Sequence, residues 1–293
     1  MTSLNAPAGS PNAAVDTETA GASRDHTRRS AVPRYARAPR QRVAMLPPRI
    51  WTVMIVVLLL LAVEAYARGG LVSSLDLIPV TDMAARSLEL VQARDFLVGD
   101  LLRTLLIVAV TFVSSAILGV TTAYVMVQST WIRQALQPYL NVFYAIPTFA
   151  LYPVLVVMFG TGALPIILLA VAFSVVVVIS NSLVGFDTVP AIVRKLSRSL
   201  DLNPLRHFRL ILLPSALPDI LAGLKLGLGY AIIAVLASEF ILATKGLGNT
   251  VADAYASFNT PDMYAGVIFI AMFALGSNML LGAALARFDW RRR

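Results

Sequence analysis

The chain has 293 residues, is 58% hydrophobic and only 14% charged, and contains no cysteine. A soluble domain carries roughly a quarter charged residues, so this composition belongs to the membrane class. The missing cysteines exclude disulfide staples, thiolate metal sites and cysteine nucleophiles. The formal net charge of +8 is not the footprint of a nucleic-acid binder. Eight arginines lie between Arg24 and Arg49, ahead of the first apolar run, and Arg291, Arg292 and Arg293 close the sequence. Basic residues crowding the ends of apolar segments mark the cytoplasmic side of a membrane protein.

Residues 1–48 are rich in Ala, Ser, Thr, Pro and Arg, a composition expected to form a disordered, basic cytoplasmic tail. Residues 49–293 are expected to form one transmembrane domain, with a core over 101–286. Six apolar segments follow in order: Ile50–Ala67, Leu101–Val127, Leu140–Phe159, Ala163–Val184, Leu217–Ala243 and Tyr264–Ala286. Each is near or above the ~20 residues that cross the hydrocarbon as a helix. Backbone groups in lipid must be satisfied within their own segment, so the expected fold is all-α and polytopic. Ala65-Tyr66-Ala67 has the form of a cleavage site, but the tail before the first segment is too long for an ordinary signal peptide.

The connections set the orientation. Glu64–Asp100 carries Arg68, Arg86 and Arg94 against six acids, and Thr244–Met263 has Lys245 against two acids. Gly185–Ala216 instead carries Arg194, Lys195, Arg198, Arg206 and Arg209. This alternation places both termini and the Pro190–Pro214 stretch in the cytoplasm. Between Leu71 and Asp100, Met83–Phe96 has the pattern of a short amphipathic helix.

Pro190–Pro214 is longer than the two to eight residues that usually connect helices. Thr188 before Pro190, and Asn203 before Pro204, are both cap-plus-proline signals for a helix start. Ile192, Val193, Leu196 and Leu200 fall on one face of a helical wheel, with Arg194, Arg198 and Asp201 on the other. Pro214 and Pro218 are expected to separate this element from the long helix that follows. A surface for a soluble partner and a plain solvated connection both fit these residues.

At this point the sequence resembles a known family. Pro138, Pro147 and Pro153, then Phe159-Gly160-Thr161-Gly162, Ile211-x-Leu213-Pro214-x3-Pro218, Gly223-Leu224, Glu239 and Gly246-Leu247-Gly248 stand in the order found in inner-membrane permease subunits of bacterial ABC importers. The likeness runs from Leu101 to Trp290 and is to the nitrate, sulfonate and taurine-type branch. It implies the type I importer permease fold, with a cytoplasmic coupling helix between the fourth and fifth spans. In the family a Glu-Ala-Ala-x3-Gly-x9-Ile-x-Leu-Pro segment docks into the ATPase. Here the last part is intact, while Lys195, Leu196 and Ser197 replace Glu-Ala-Ala and Asp201 replaces the glycine.

By resemblance, the coupling loop is 188–214. The residues assigned to ATPase contact are Arg194, Lys195, Leu196, Ser197, Arg198, Leu200, Asp201, Pro204, Ile211, Leu213 and Pro214. The implied partners are two ABC ATPase subunits, a second permease that is the same chain or a sibling, and a periplasmic or lipid-anchored substrate-binding protein. The sequence has no Gly-x4-Gly-Lys-Ser/Thr phosphate loop, so no cofactor is expected on this chain, and ATP with Mg is expected on the partner ATPase. The chain is therefore expected to be a pathway subunit and not an enzyme. Its substrate is expected to be a small anion such as a sulfonate, nitrate or an aromatic carboxylate.

Four residues are candidates for the pathway or its gate. Glu239 is the only acid well inside the fifth span and must be paired, hydrogen-bonded or at an interface. Pro147 and Pro153 are expected to loosen the third span, and Asn181 offers a polar group to a cavity. Gly223, Gly227 and Gly229 invite close helix contact, either in ordinary packing or between subunits. The alternative function is an ion-coupled secondary transporter, which would ordinarily show more intramembrane charge or a matched repeat of broken helices.

Overall fold

The computed structural model describes residues 48–70, 72–73, 76–143, 147–190, 192–193 and 203–287. Every regular element among them is helical. In chain order these are α1 (Pro48–Arg68), α2 (Val80–Gln92), a π-helical turn (Phe96–Leu101) running into α3 (Leu102–Gln128), and α4 (Thr130–Phe143). A 3₁₀ turn (Thr148–Leu151) leads into α5 (Tyr152–Phe159), and α6 spans Ala163–Asp187. Then come α7 (Pro204–His207), a second π turn (Phe208–Leu212), α8 (Leu213–Leu242), α9 (Leu247–Ala256) and α10 (Thr260–Ala286).

Among the described residues, five helical stretches are long and apolar enough to cross a membrane: Ile50–Arg68, Phe96–Gln128, Ala163–Asp187, Phe208–Ala256 and Thr260–Ala286. Five of the six segments expected from hydropathy are therefore continuous. The exception is Leu140–Phe159: the described part of α4 runs to Phe143, the non-helical Pro147 precedes a 3₁₀ turn, and the apolar helix is short, over Phe149–Phe159. Pro147 has no N–H to continue a ladder and disfavours helical backbone in the residue before it.

The centre of the fold is α6, which packs most extensively against α8 and α3. Lipid supplies no hydrophobic drive between helices, so close contact depends on small residues. Val178 is fully buried, and its two γ-methyls fill notches on opposite sides. A Cβ added at Gly119 of α3 would lie 2.6 Å from Val178 Cγ1, and one at Gly227 of α8 would lie 2.6 Å from Val178 Cγ2. Along the same α6–α8 seam, Gly223 faces the Asn181 side chain and Gly185 faces Asp219 and Ala216. Ser174 Oγ donates to the Gly227 carbonyl at 2.8 Å. Gly223 and Gly227 are thus spent inside the chain and not at a subunit interface, whereas a Cβ at Gly229 would meet nothing within 4 Å.

The α3 core positions Thr104, Ile107, Val108, Thr111, Ser115, Gly119, Ala123 and Met126 recur at the three-to-four spacing of one helix face. By contrast, the Ile50–Arg68 window of α1 is not buried at all. Its C-terminal end is tied down: Glu64 accepts from Thr81 N at 3.2 Å, Thr81 Oγ1 at 2.9 Å and Arg68 Nε at 2.6 Å. The short amphipathic helix expected after α1 exists as α2, with Met83 and Ser87 inward.

The glycine seam yields a testable contrast. Gly227→Ala drives a methyl into Val178 and should destabilise the protein by about 1–3 kcal/mol. Gly229→Ala meets open space and should be neutral, or stabilising by up to ~1 kcal/mol through helix propensity. Thermal unfolding of both variants in detergent separates them, and equal midpoints would contradict the packing described.

Candidate functional site

Two regions at opposite ends of the bundle hold the residues singled out by sequence. At the first end, α6 terminates and α7 begins. The helix expected to open at Pro190 falls largely outside the described residues, with Ile192 and Val193 helical and Val193 N donating to the Pro190 carbonyl at 3.0 Å. The Thr188 hydroxyl donates back to the Gly185 carbonyl at 2.8 Å and lies 3.5 Å from Asp219 Oδ2 of α8. Arg133 of α4 grips Asp187, the last residue of α6, with both Nη atoms, at 2.9 and 2.6 Å. That bidentate bond raises the Arg133 pKa above its usual value, so the guanidinium stays charged.

A helix starts at Pro204 as the Asn203-Pro204 signal predicts, with His207 N donating to the Asn203 carbonyl at 2.9 Å. The separation expected at Pro214 and Pro218 is absent. Helical dihedrals continue through His207, Leu212 and Leu213, and the π turn at Phe208–Leu212 runs straight into α8. A π turn opens the ladder by one residue, which takes up the clash of the Pro214 ring with the preceding turn. Pro218 lies inside α8.

The Ile211-x-Leu213-Pro214 piece is consequently part of the bundle. Leu212 is buried with Ala123, Met126, Ile179, Leu183, Phe186, Ala216 and Ile220, and Leu213 packs at their edge. Phe208 stacks near Tyr124 at 4.4 Å and Phe186 at 6.3 Å between ring centres. Ile211 is half-buried and Pro214 exposed. Ile192 is 76% exposed. Arg194, Lys195, Leu196, Ser197, Arg198, Leu200 and Asp201 lie outside the described residues, as does the Pro204 side chain.

At the second end stands Glu239. Its side chain is fully buried, and its partners are neutral. Thr104 Oγ1 of α3 lies 2.8 Å from both carboxyl oxygens, and the backbone N–H of Gly248 donates to Oε2 at 3.1 Å. Thr104 Oγ1 in turn accepts from Leu247 N at 3.0 Å. Asp100 accepts from Gly246 N at 2.7 Å, and Arg103 donates to the Lys245 carbonyl. The turn that opens α9 is thereby clasped to α3 and α8 through its backbone. Glycine is required here: Gly246 has φ +118, and a Cβ on Gly246 or Gly248 would run into Glu239. Glu239 is a structural clasp, with its carboxyl enclosed by protein.

Asn181 and Glu239 are not brought together. Asn181 meets α8 at Gly223, about 24 Å down the helix from Glu239 at 1.5 Å per residue, and its amide donates to the Val177 carbonyl at 2.8 Å. Pro147 and Pro153 are exposed, flanking the 3₁₀ turn. Sequence reasoning missed Thr104, Asp100 and Arg103, which sit in an apolar span or before it with no local signal of a partner so far along the chain. It also missed Arg86 of α2, which pairs with Asp262 at the start of α10 and with Glu89 at 2.6 Å. Those hydrogen bonds, Asp262 first, hold the Arg86 pKa above its ordinary value. Among the described residues no group of acids and histidines is arranged to hold a metal.

The clasp can be tested directly. Glu239→Ala leaves the Thr104 hydroxyl and the Gly248 N–H without an acceptor in a dry interior, and should cost about 2–4 kcal/mol. Glu239→Gln keeps the shape and can accept from Gly248 while donating to Thr104, so most of the loss should be recovered. Thermal denaturation of the purified variants reads both, and a wild-type midpoint for the alanine variant would contradict the assignment.

Comparison with known proteins agrees with this architecture. The family model described as binding-protein-dependent transport system inner membrane component matches residues 115–293, more than half the chain. The chain is 28% identical over 180 residues, 61% of its length, to the nitrate import permease protein NrtB of Leptolyngbya laminosa. It is 31% identical over 161 residues, 55% of its length, to the taurine transport system permease protein TauC of Escherichia coli strain K12. These matches span 64% and 58% of the relatives' own lengths. Among solved structures, a chain of the inward-facing MetNI methionine ABC transporter superposes with a TM-score of 0.58 at 17% identity, covering 67% of this chain and 99% of that one. A chain of an amino acid ABC transporter gives 0.52 at 18% identity, covering 67% and 93%. The broken third span, the central α3–α6–α8 packing and the clasped α9 turn are therefore features of a chain that belongs to the inner-membrane components of binding-protein-dependent transport systems.

Proposed function

We propose that this chain forms one wall of the substrate pathway in an ATP-driven importer and couples that pathway to a separate ATPase. Residues 49–293 are the permease domain in the bacterial inner membrane, and 1–48 a basic tail, with both termini cytoplasmic. The assembly contains two ABC ATPase subunits that carry ATP and Mg, a second permease that is this chain or a sibling, and an external substrate-binding protein. The solute is a small anion of the sulfonate, nitrate or aromatic carboxylate type, in keeping with the nitrate import and taurine transport relatives.

One observation carries the coupling: both ends of the 188–214 loop are seated in the central packing. Thr188 is bonded to α6 and lies beside Asp219 of α8. Phe208 and Leu212 are embedded against α3 and α6. A displacement of the residues between them is delivered to α6 and α8 without slack, as a bistable bundle biased by a docked partner requires. Contact with the ATPase then falls to Arg194, Lys195, Leu196, Ser197, Arg198, Leu200 and Asp201. Phe208, Leu212 and, at the edge of the same core, Leu213 anchor the segment, and Pro204, Ile211 and Pro214 complete the coupling set.

The test is purification of the tagged chain in mild detergent with its operon co-expressed. An ABC ATPase should co-purify. The double variant Arg194→Glu/Arg198→Glu should retain about a tenth or less of that ATPase, a loss of roughly 1.4 kcal/mol or more, at unchanged permease yield. Unchanged recovery would remove the contact assignment. Absence of the ATPase from the unsubstituted chain, with uptake driven by an ion gradient, would favour a secondary transporter instead.

A further inference from the structure

Four aromatic rings meet at one depth of the bundle. Phe173 of α6 stands 5.3 Å from Phe149 of the 3₁₀ turn, 5.4 Å from Tyr230 of α8 and 6.3 Å from Phe143, the last residue of α4. The ring planes are tilted, and all four side chains are half-buried. Phe173 is about 15 Å along α6 from its start at 1.5 Å per residue, near the middle of a bilayer core about 30 Å thick.

Two independent observations place the open side of this cluster against water and not lipid. The first is the backbone. The described part of α4 runs to Phe143, the next described residue, Pro147, is exposed and non-helical, and Phe149 follows within the 3₁₀ turn. Broken backbone at membrane depth persists only where protein buries it or where it borders a polar cavity, and Pro147 is not buried. The second is the chemistry of the same surface. Asn181 lies two helical turns beyond Phe173 on the same face of α6 and is half-buried. The Tyr230 hydroxyl, on the α8 residue that faces Phe173, has no hydrogen-bond partner among the described residues. A phenol at this depth needs an acceptor.

We propose that Phe143, Phe149, Phe173 and Tyr230 are the point at which this wall of the pathway touches the solute in transit. The site suits an organic anion with an apolar or aromatic body and not a bare inorganic ion. The rings offer edges and faces to the body of such a solute, and Tyr230 donates one hydrogen bond to a carboxylate or sulfonate oxygen. An inorganic anion gains only the hydroxyl and meets the negative faces of the rings. A contact this modest also suits conduction, which requires that a site release what it receives. The proposal rests on the reading of the chain as an importer permease.

The absence of cysteine makes the experiment clean. Tyr230→Cys, Phe149→Cys and Phe173→Cys are introduced singly into the complex purified with its ATPase, reconstituted in liposomes and exposed to a water-soluble sulfonated methanethiosulfonate. Phe258→Cys, at an 81% exposed position at the bundle end, serves as the reactive control. Ile117→Cys, 62% exposed on the apolar span of α3, serves as the lipid-facing one. Tyr230→Cys and at least one phenylalanine variant should label in the nucleotide-free or the ATP-bound state. Benzenesulfonate should slow labelling of Phe149→Cys, which keeps the Tyr230 hydroxyl, about three- to tenfold more than nitrate at matched millimolar concentration, the ratio one aromatic contact supplies. If the cluster variants stay unlabelled in both states while Phe258→Cys reacts and the ATPase is present, the face meets lipid or the second permease, and the proposal fails alone. Equal protection by the two anions overturns the solute class. Loss of the ATPase from the unsubstituted complex overturns the importer reading itself.

Discussion

The packing of Val178 between two glycines governs how the rest of the molecule is arranged. Helices in lipid gain nothing from burying apolar side chains against each other that the acyl chains would not also supply. Their association is decided by how closely backbones can approach. Val178 extends one methyl toward Gly119 of α3 and the other toward Gly227 of α8, and a β-branched side chain has little rotameric freedom in a helix with which to yield. Gly223 against Asn181, Gly185 against Ala216, and the Ser174 bond to the Gly227 carbonyl repeat the same close approach along the seam. The slab α3–α6–α8 is the result, and the other elements attach to it.

The attachments differ in kind at the two ends. At the Gly246 end they are dense and polar: Glu239, Thr104, Asp100 and Arg103 converge on one turn, Phe96 packs on Phe269 at 4.9 Å, and Arg86 binds Asp262. At the Thr188 end, α4 is joined by the Arg133 fork to Asp187 and by the half-buried Ile132, Leu136 and Leu140, with no fully buried residue of its own. Between these ends the third span is broken at Pro147. One end of the bundle is thus fastened, and the other holds a loosely attached helix beside the loop assigned to the ATPase. That asymmetry is what a pathway opened by a push from one side requires, since a hinge needs a fixed side as well as a free one.

Much of this was legible in the sequence, because hydropathy and proline act locally. Five spans were placed to within a few residues, and the helix start at Asn203-Pro204 was read from its cap signal. Where the reading failed, the cause was either a close neighbour in sequence or a contact elsewhere in the chain. Leu140–Phe159 is as apolar as a span should be, yet Pro147 interrupts it. Pro214 has the look of a breaker, and the π turn before it lets the helix continue. The importance of Glu239 was visible in its cost, whereas its partner Thr104 is one threonine among several in an apolar helix. Phe173 and the three rings around it come from four separate segments, and no window of sequence contains them.

On the importer reading, the α3–α8–α9 clasp stays fixed while the coupling loop and the broken third span move. Hydrogen–deuterium exchange on the assembled complex, with and without a non-hydrolysable ATP analogue, measures this directly. The account predicts altered protection over 190–214 and 143–153, with no change at Thr104 or across Glu239–Gly248. A nucleotide-dependent change confined to Glu239–Gly248, with the coupling loop unaffected, would contradict it.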